Sequence, residues 1–168
     1  LIGQSGLKKD TIGTNFGTSA SIQYNTGREP VRIEGLISSV LFSDNSLKTF
    51  MVEGTINACN SLFYHLEKIL SIPHKNMLWD KRIKDINTKG IFVPGFNGIS
   101  SPYWKTGFND IYVDLDSNPD QIIRAGMESI GYLTNDILQC MMQAELKIPK
   151  LLTASGGAGR PSLLQFIS

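Results

Sequence analysis

Residues 11–26 read TIGTNFGTSASIQYNT and carry the strongest local signal in the chain. Two β-prone runs, 11–16 and 19–25, flank Gly17-Thr18. A glycine between two such runs is typical of a β-hairpin, because glycine adopts the backbone angles of a tight turn at no steric cost. The sequence therefore predicts an antiparallel hairpin with Gly17-Thr18 at its tip.

Outward from this hairpin, the apolar pattern alternates between the period of a strand and that of a helix. A helical stripe covers residues 55–70, and a longer one covers 119–144, where Asn118 is a favourable N-cap and Pro119 suits the first helical position. A last helix begins near Pro161. Short β-prone or apolar runs predict strands at residues 38–43, 48–53, 90–96, 111–115 and 150–153. This order predicts a mixed α/β fold in which antiparallel hairpins precede βα units.

Composition narrows the class of protein. The 168 residues are 41% hydrophobic and 18% charged, with a formal net charge of +1, which is ordinary for one globular domain. A nucleic-acid binder would carry a basic stripe, and a membrane span would need about 18 consecutive apolar residues; the sequence offers neither. We therefore expect no nucleic-acid or membrane partner and a cytoplasmic location. Cys59 and Cys140 lie far apart inside apolar helical patterns, which favours free thiols over a disulfide.

The two ends of the sequence predict an excised piece of a longer protein. The chain begins at Leu1 rather than at methionine, and it stops within residues 163–168, an apolar pattern that has just begun. Truncation there is expected to leave Leu164 and Phe166 without partners. We therefore expect self-association or aggregation.

Two small-residue turns are candidate sites for a phosphorylated ligand. Gly17, Thr18 and Ser19 offer successive backbone amides and two hydroxyls, which can form an anion-binding nest. The sequence Gly156-Gly157-Ala158 follows an apolar run and precedes a helix, where small residues let a ligand approach the backbone. Taken alone, each is also compatible with a plain connecting turn.

Other kinds of site fit the sequence less well. Residues 17–21, GTSAS, lack the last glycine of a GxSxG nucleophile elbow, and only His65 and His74 are available as imidazole bases. The same two histidines are poorly placed for a metal site. Asp114 and Asp116 could offer oxygen ligands to Mg²⁺, but a charged strand end beside a turn explains them better.

Taken together, the motifs resemble the C-terminal domain of the FGGY carbohydrate kinase family, and are most like those of its glycerol kinases. The match is ordered and covers nearly the whole chain. Its parts are Gly3-Gln4, residues 16–19 with Asn25-Thr26-Gly27, residues 52–56 (VEGTI), residues 92–104 (FVPGFNGISSPYW), residues 123–138 and residues 155–166.

The resemblance implies an actin/hexokinase/Hsp70-like (ribonuclease H-like) ATPase fold, with a mixed sheet and flanking helices. It implies a single C-terminal domain over residues 1–168, cut at both ends from a two-domain enzyme that moves the γ-phosphate of Mg-ATP to a hydroxyl of a polyol or sugar, most simply glycerol. Gly17, Thr18 and Ser19 would hold the phosphates. Gly156, Gly157 and Ala158 would lie against the nucleoside.

The resemblance also places the general base, an aspartate, just upstream of Leu1, so that no catalytic residue and no metal ligand is expected in this chain. Most contacts to the small-molecule substrate would come from the N-terminal domain. We therefore expect the chain to lack kinase activity by itself.

Four departures from the family pattern leave the substrate open. Ser21 stands where glycerol kinases place a phenylalanine against glycerol. Asn60 and Tyr64 replace a glycine and a glutamine that face the nucleoside, and Pro161 replaces an asparagine. The alternatives are a pentulose (xylulose-type) kinase, or a catalytically dead relative that serves as a binding or regulatory domain.

Overall fold

The computed structural model describes residues 1–4 and 6–168. A short 3₁₀ turn at Ile2–Gln4 precedes the strands and helices. The strands are β1 Ile12–Phe16, β2 Ala20–Gly27, β3 Ile37–Ser43, β4 Lys48–Ile56, β5 Ile91–Val93, β6 Ile111–Val113 and β7 Thr153–Ser155. The helices are α1 Asn60–Ile69, α2 His74–Met77, α3 Trp79–Ile83, α4 Pro119–Gln143 and α5 Pro161–Ile167.

Two sheets organise the described part of the chain. The larger has the order β3-β4-β2-β1-β7, and the smaller is the antiparallel pair β5-β6. Strands β1 to β4 pair antiparallel as two hairpins, whereas β7 returns parallel to β1. The hairpin predicted at Gly17-Thr18, the strands predicted at residues 38–43 and 48–53, and the mixed α/β sheet with flanking helices are therefore confirmed.

The core lies between one face of the larger sheet and the helices. Ile22, Val52 and Ile56 are fully buried on that face, and Ile130 and Ile137 of α4 are fully buried in the same apolar cluster. Helix α4 fits closely because β4 carries a glycine opposite it: a Cβ at Gly54 would overlap the side chain of Ile137. Burial of such side chains contributes about 1.5–3 kcal/mol each.

The long helix agrees with its sequence signals. Helix α4 begins at Pro119, and the Asn118 side chain accepts a hydrogen bond from the backbone N–H of Asp120 at 2.9 Å. This contact satisfies one of the N–H groups that the first turn leaves without an intrahelical partner.

Other boundaries were predicted wrongly. Helix α1 begins at Asn60 rather than at residue 55, because Thr55 and Ile56 continue the β4 ladder opposite Ser21 and Ala20. The last strand covers Thr153–Ser155 rather than residues 150–153. Strands β5 and β6 are also shorter than predicted; β5 ends before Pro94, which has no N–H to donate.

Candidate functional site

The tip of the first hairpin presents unused hydrogen-bond donors. The backbone N–H of Gly17 donates to the Ser19 carbonyl at 2.9 Å and closes the turn. Within residues 1–4 and 6–168, the backbone N–H groups of Thr18 and Ser19 have no acceptor, and both residues are exposed. Two amides and two hydroxyls without a partner among the described residues therefore lie together at one exposed turn, which is an arrangement suited to an anion.

The first turn of α1 holds this tip in place. The backbone N–H of Asn60 donates to the Gly17 carbonyl at 3.0 Å, and that of Ser61 donates to the Thr18 carbonyl at 3.1 Å. Asn60, which the sequence predicts to face a nucleoside, therefore lies directly against the tip. Tyr64 lies one turn further along α1, is 56% exposed, and stacks on His74 with ring centroids 6.0 Å apart.

The second bend, Gly156-Gly157-Ala158, lies beside the first. Gly156 has φ +97°, and a Cβ there would overlap the carbonyl oxygen of Phe16. The backbone N–H of Ala158 donates to the same oxygen at 2.8 Å. Since Phe16 directly precedes Gly17, one residue joins the two bends.

The three residues of the second bend differ in exposure. Gly156 and Gly157 are exposed, and no atom beyond the two adjacent residues lies within 4 Å of the position of a Cβ on Gly157. The side chain of Ala158 is fully buried instead, so this residue anchors the bend in the core. Gly157 is thus the point at which another molecule can approach the backbone most closely.

The face of the larger sheet opposite the core carries a polar row. Ser155, Asn15, Ser21 and Thr55 are paired one to the next across β7, β1, β2 and β4. The Ser155 hydroxyl donates to Asn15 Oδ1 at 3.2 Å and accepts from Gln4 Nε2 at 3.0 Å. Ser21, predicted to lie near the substrate, therefore sits among hydroxyl and amide groups, in a row that residue spacing alone did not reveal.

Neither cysteine thiol forms a hydrogen bond with either bend among the described residues. Both are free, as predicted; Cys59 is buried and Cys140 partly buried. Burial raises the pKa of the Cys59 thiol to about 12, which makes it a poor nucleophile.

Among the described residues, no three His, Cys, Asp or Glu side chains form a metal-binding group. None of the described helices is both long enough and apolar enough to span a membrane.

Comparison with known proteins assigns the family. A sequence model of the C-terminal domain of the FGGY family of carbohydrate kinases matches residues 13–167. The chain belongs to the FGGY family of carbohydrate kinases. The predicted family and fold class are therefore confirmed.

Curated relatives and solved structures agree with this assignment. The FGGY domain is 31% identical to glycerol kinase of Aeromonas hydrophila over 99% of this chain and 34% of that protein. It is 29% identical to glycerol kinase 1 of Thermotoga maritima, again over 99% of this chain and 35% of that protein. The chain thus spans about a third of the length of these relatives.

Solved structures of FGGY kinases share its fold. The crystal structure of Plasmodium falciparum glycerol kinase with ADP matches with a TM-score of 0.85 at 26% identity, over 99% of this chain and 35% of that one. A ligand-bound xylulose kinase from Lactobacillus acidophilus matches with a TM-score of 0.80 at 20% identity, over 99% of this chain and 34% of that one. At that lower identity the likeness concerns the fold alone.

Proposed function

We propose that this FGGY domain is the nucleotide-binding half of a two-domain, ATP-dependent kinase that transfers the γ-phosphate of ATP to a hydroxyl of a polyol or sugar. The observation that carries the proposal is the junction at Phe16. Its carbonyl holds the second bend while its neighbour Gly17 opens the first, so that one residue connects the amides of Thr18, Ser19 and Gly157, none of which has an acceptor among the described residues.

The residues present fit a nucleotide. Phosphoryl transfer depends mainly on positioning and on stabilising the charge of the phosphates, which backbone amides at a tight turn supply. Thr18 and Ser19 would bind the phosphates, and the open side of Gly157 would admit the nucleoside. Asn60 and Tyr64 would flank it from α1. Mg²⁺ would accompany the phosphates and neutralise their charge, without a ligand group of its own among the described residues.

The chain is proposed to act together with an N-terminal domain. Support comes from the match to a C-terminal domain model and from the third of each relative's length that the chain covers. The aspartate that removes the proton from the substrate hydroxyl would lie upstream of Leu1. The isolated chain would therefore bind nucleotide but would not turn over.

Glycerol is the first candidate substrate, since the curated relatives cited above are glycerol kinases. A pentulose is the second, and Ser21 favours it. A serine within a row of hydroxyl and amide groups leaves more space and offers more hydrogen bonds than an aromatic ring would, as a larger and more polar sugar requires.

Titration of ADP into the chain by isothermal calorimetry tests the nucleotide site. We expect saturable binding that Gly157→Val reduces at least tenfold, because the valine would occupy the open side of the bend, where a Cβ meets no atom beyond the adjacent residues. Ser43→Val, on the exposed end of β3, is the matched control and should bind normally. Absence of binding by the unmodified chain would contradict the proposal.

Assays of a form extended upstream of Leu1 separate the candidate substrates. We expect ATP-dependent phosphorylation of glycerol or of a pentulose by the extended protein, and none by residues 1–168 alone. Turnover by the short chain would show that the base lies elsewhere. An extended protein that binds ADP but phosphorylates neither class would favour a catalytically dead binding domain.

A further inference from the structure

Arg160 occupies an unusual position immediately after the second bend. Its backbone N–H donates to the Ala158 carbonyl at 2.8 Å. Its guanidinium carbon lies 4.9 Å from the ring centroid of Phe63 and 5.7 Å from that of Trp79. These two rings pack on each other with centroids 4.4 Å apart. The charged group is therefore supported on one side by a buried aromatic pair.

No carboxylate in the described part of the chain forms an ion pair with this guanidinium. Arg160 forms no ion pair and no side-chain hydrogen bond within residues 1–4 and 6–168, and its Nε is buried without a partner. Trp79 is 5% exposed, and its Nε1 is also buried and unpartnered. Asp80, the neighbouring acid, accepts from the backbone N–H of Ser162 instead. Arg160 Nε and Trp79 Nε1 are thus two buried donors without an acceptor among the described residues, an arrangement that native proteins rarely leave uncompensated.

The position of Arg160 beside helix α1 indicates which part of a bound nucleotide this residue would contact. The helix begins at the tip of the first hairpin, where Asn60 bonds Gly17. Phe63 lies three residues further on, about 4.5 Å along the helix axis. Arg160 is therefore displaced from the phosphate-binding tip, on the side of the second bend.

We propose that Arg160 contacts the base of the bound nucleotide, stacking on the purine ring the face of its guanidinium that is turned away from Phe63 and Trp79. This inference rests on the proposed nucleotide site. A planar guanidinium stacks well on aromatic rings, which an ammonium group does not. Gly156, Gly157 and Ala158 offer no polar side chain to read the edge of a base. On the side of the second bend, recognition would therefore rest on stacking, which accepts adenine and guanine alike.

Comparing ligands with and without a base tests the assignment. For Arg160→Met we expect the affinity for ADP to fall roughly fivefold, while the affinity for inorganic tripolyphosphate stays unchanged. For the unmodified chain we expect ADP and GDP to bind within about twofold of each other. Arg160→Lys keeps the aliphatic stem and the charge but not the planar face, so its loss for ADP should approach that of the methionine variant.

Arg124→Met is the matched control. The Arg124 guanidinium also lies over a ring, 5.6 Å from the Phe166 centroid, but it is paired with Glu128. We expect this variant to bind ADP normally. Thermal melting checks that each variant is folded; if the methionine variant unfolds, the lysine variant alone decides.

The possible results separate the two proposals. An unmodified chain that binds neither ADP nor tripolyphosphate contradicts the nucleotide site itself, and this inference with it. If the unmodified chain binds both, an Arg160 variant with unchanged ADP affinity overturns only the contact with the base. Equal losses for ADP and tripolyphosphate would overturn it too, since they would place Arg160 on the phosphates.

Discussion

Two adjacent glycines at the second bend illustrate how differently neighbouring residues are constrained. Gly156 has a positive φ and lies against the Phe16 carbonyl, so a side chain there meets both backbone strain and a steric clash. Gly157 has neither constraint. The fold therefore requires the first glycine, whereas only a ligand would require the second.

This difference predicts that alanine destabilises the chain at Gly156 but not at Gly157. We expect Gly156→Ala to lower the free energy of unfolding by about 2 kcal/mol or more. Gly157→Ala, its matched control, should stay within about 0.5 kcal/mol of the unmodified chain. Urea denaturation measures both. Equal stabilities would show that the bend is not held by the Phe16 carbonyl.

The buried Tyr24 should make the free energy of unfolding depend on pH in the alkaline range. Its buried hydroxyl donates to Asp10 Oδ1 at 2.8 Å; burial, together with that carboxylate, raises the pKa of Tyr24 to about 12. Because the folded state retains this proton more strongly than the unfolded state does, stability is intact below pH 10 and is lost as pH rises towards 12. Tyr24→Phe should flatten that decline in urea denaturations. An unchanged slope between pH 10 and 12 would contradict the assignment.

At the scale of elements, one carboxylate ties α1 to the loop between β5 and β6. Asp110 pairs with the ring of His65 and also accepts from the backbone N–H groups of Gly95 and Phe96, at 2.8 and 3.2 Å. The His65 ring stacks on Phe96 with centroids 3.9 Å apart. This contact fixes the helix whose first turn carries the hairpin tip.

Removing that carboxylate should loosen the contact measurably. Asp110→Ala leaves two backbone donors and a histidine without their acceptor, so we expect a loss of about 2–3 kcal/mol in the free energy of unfolding. Asp85→Ala, at an exposed aspartate that forms no ion pair within the described residues, should change it by less than about 0.5 kcal/mol. Similar values for the two variants would contradict a structural role for Asp110.

What the sequence could predict depended on how far apart the interacting residues lie. The hairpin around Gly17 and the cap at Asn118 depend on neighbours within a few positions, and both were predicted correctly. The pair His65–Asp110 joins residues 45 positions apart, and no local pattern marks it. Helix α1 was predicted to begin too early because pairing with β2, a non-local interaction, keeps Thr55 in a strand.

At the scale of the whole molecule, the sheet has two unlike faces and an open apolar edge. One face packs on the helices, while the other carries the row from Ser155 to Thr55. Beside β1 and β7 lies a cavity of about 400 Å³, lined mostly by apolar residues, among them Leu152, Leu164 and Ile167. Leu151, which also lines this cavity, is 82% exposed.

This exposed apolar surface predicts concentration-dependent self-association. We expect light scattering to show species larger than 18.5 kDa as concentration rises, and Leu151→Ser to reduce them. Leu7→Ser, at a leucine that is 63% exposed outside the cavity, is the control and should not. A monomer at all concentrations would contradict the prediction.

The most direct test of a shared nucleotide site is an NMR titration of the ¹⁵N-labelled chain with Mg-ADP. The amide signals of Thr18, Ser19 and Gly157 are monitored. If the two bends bind one nucleotide, all three signals shift along a common binding curve, while those of β3 at the far edge of the sheet stay in place. Shifts confined to one bend, or different curves for the two, would contradict a shared nucleotide site.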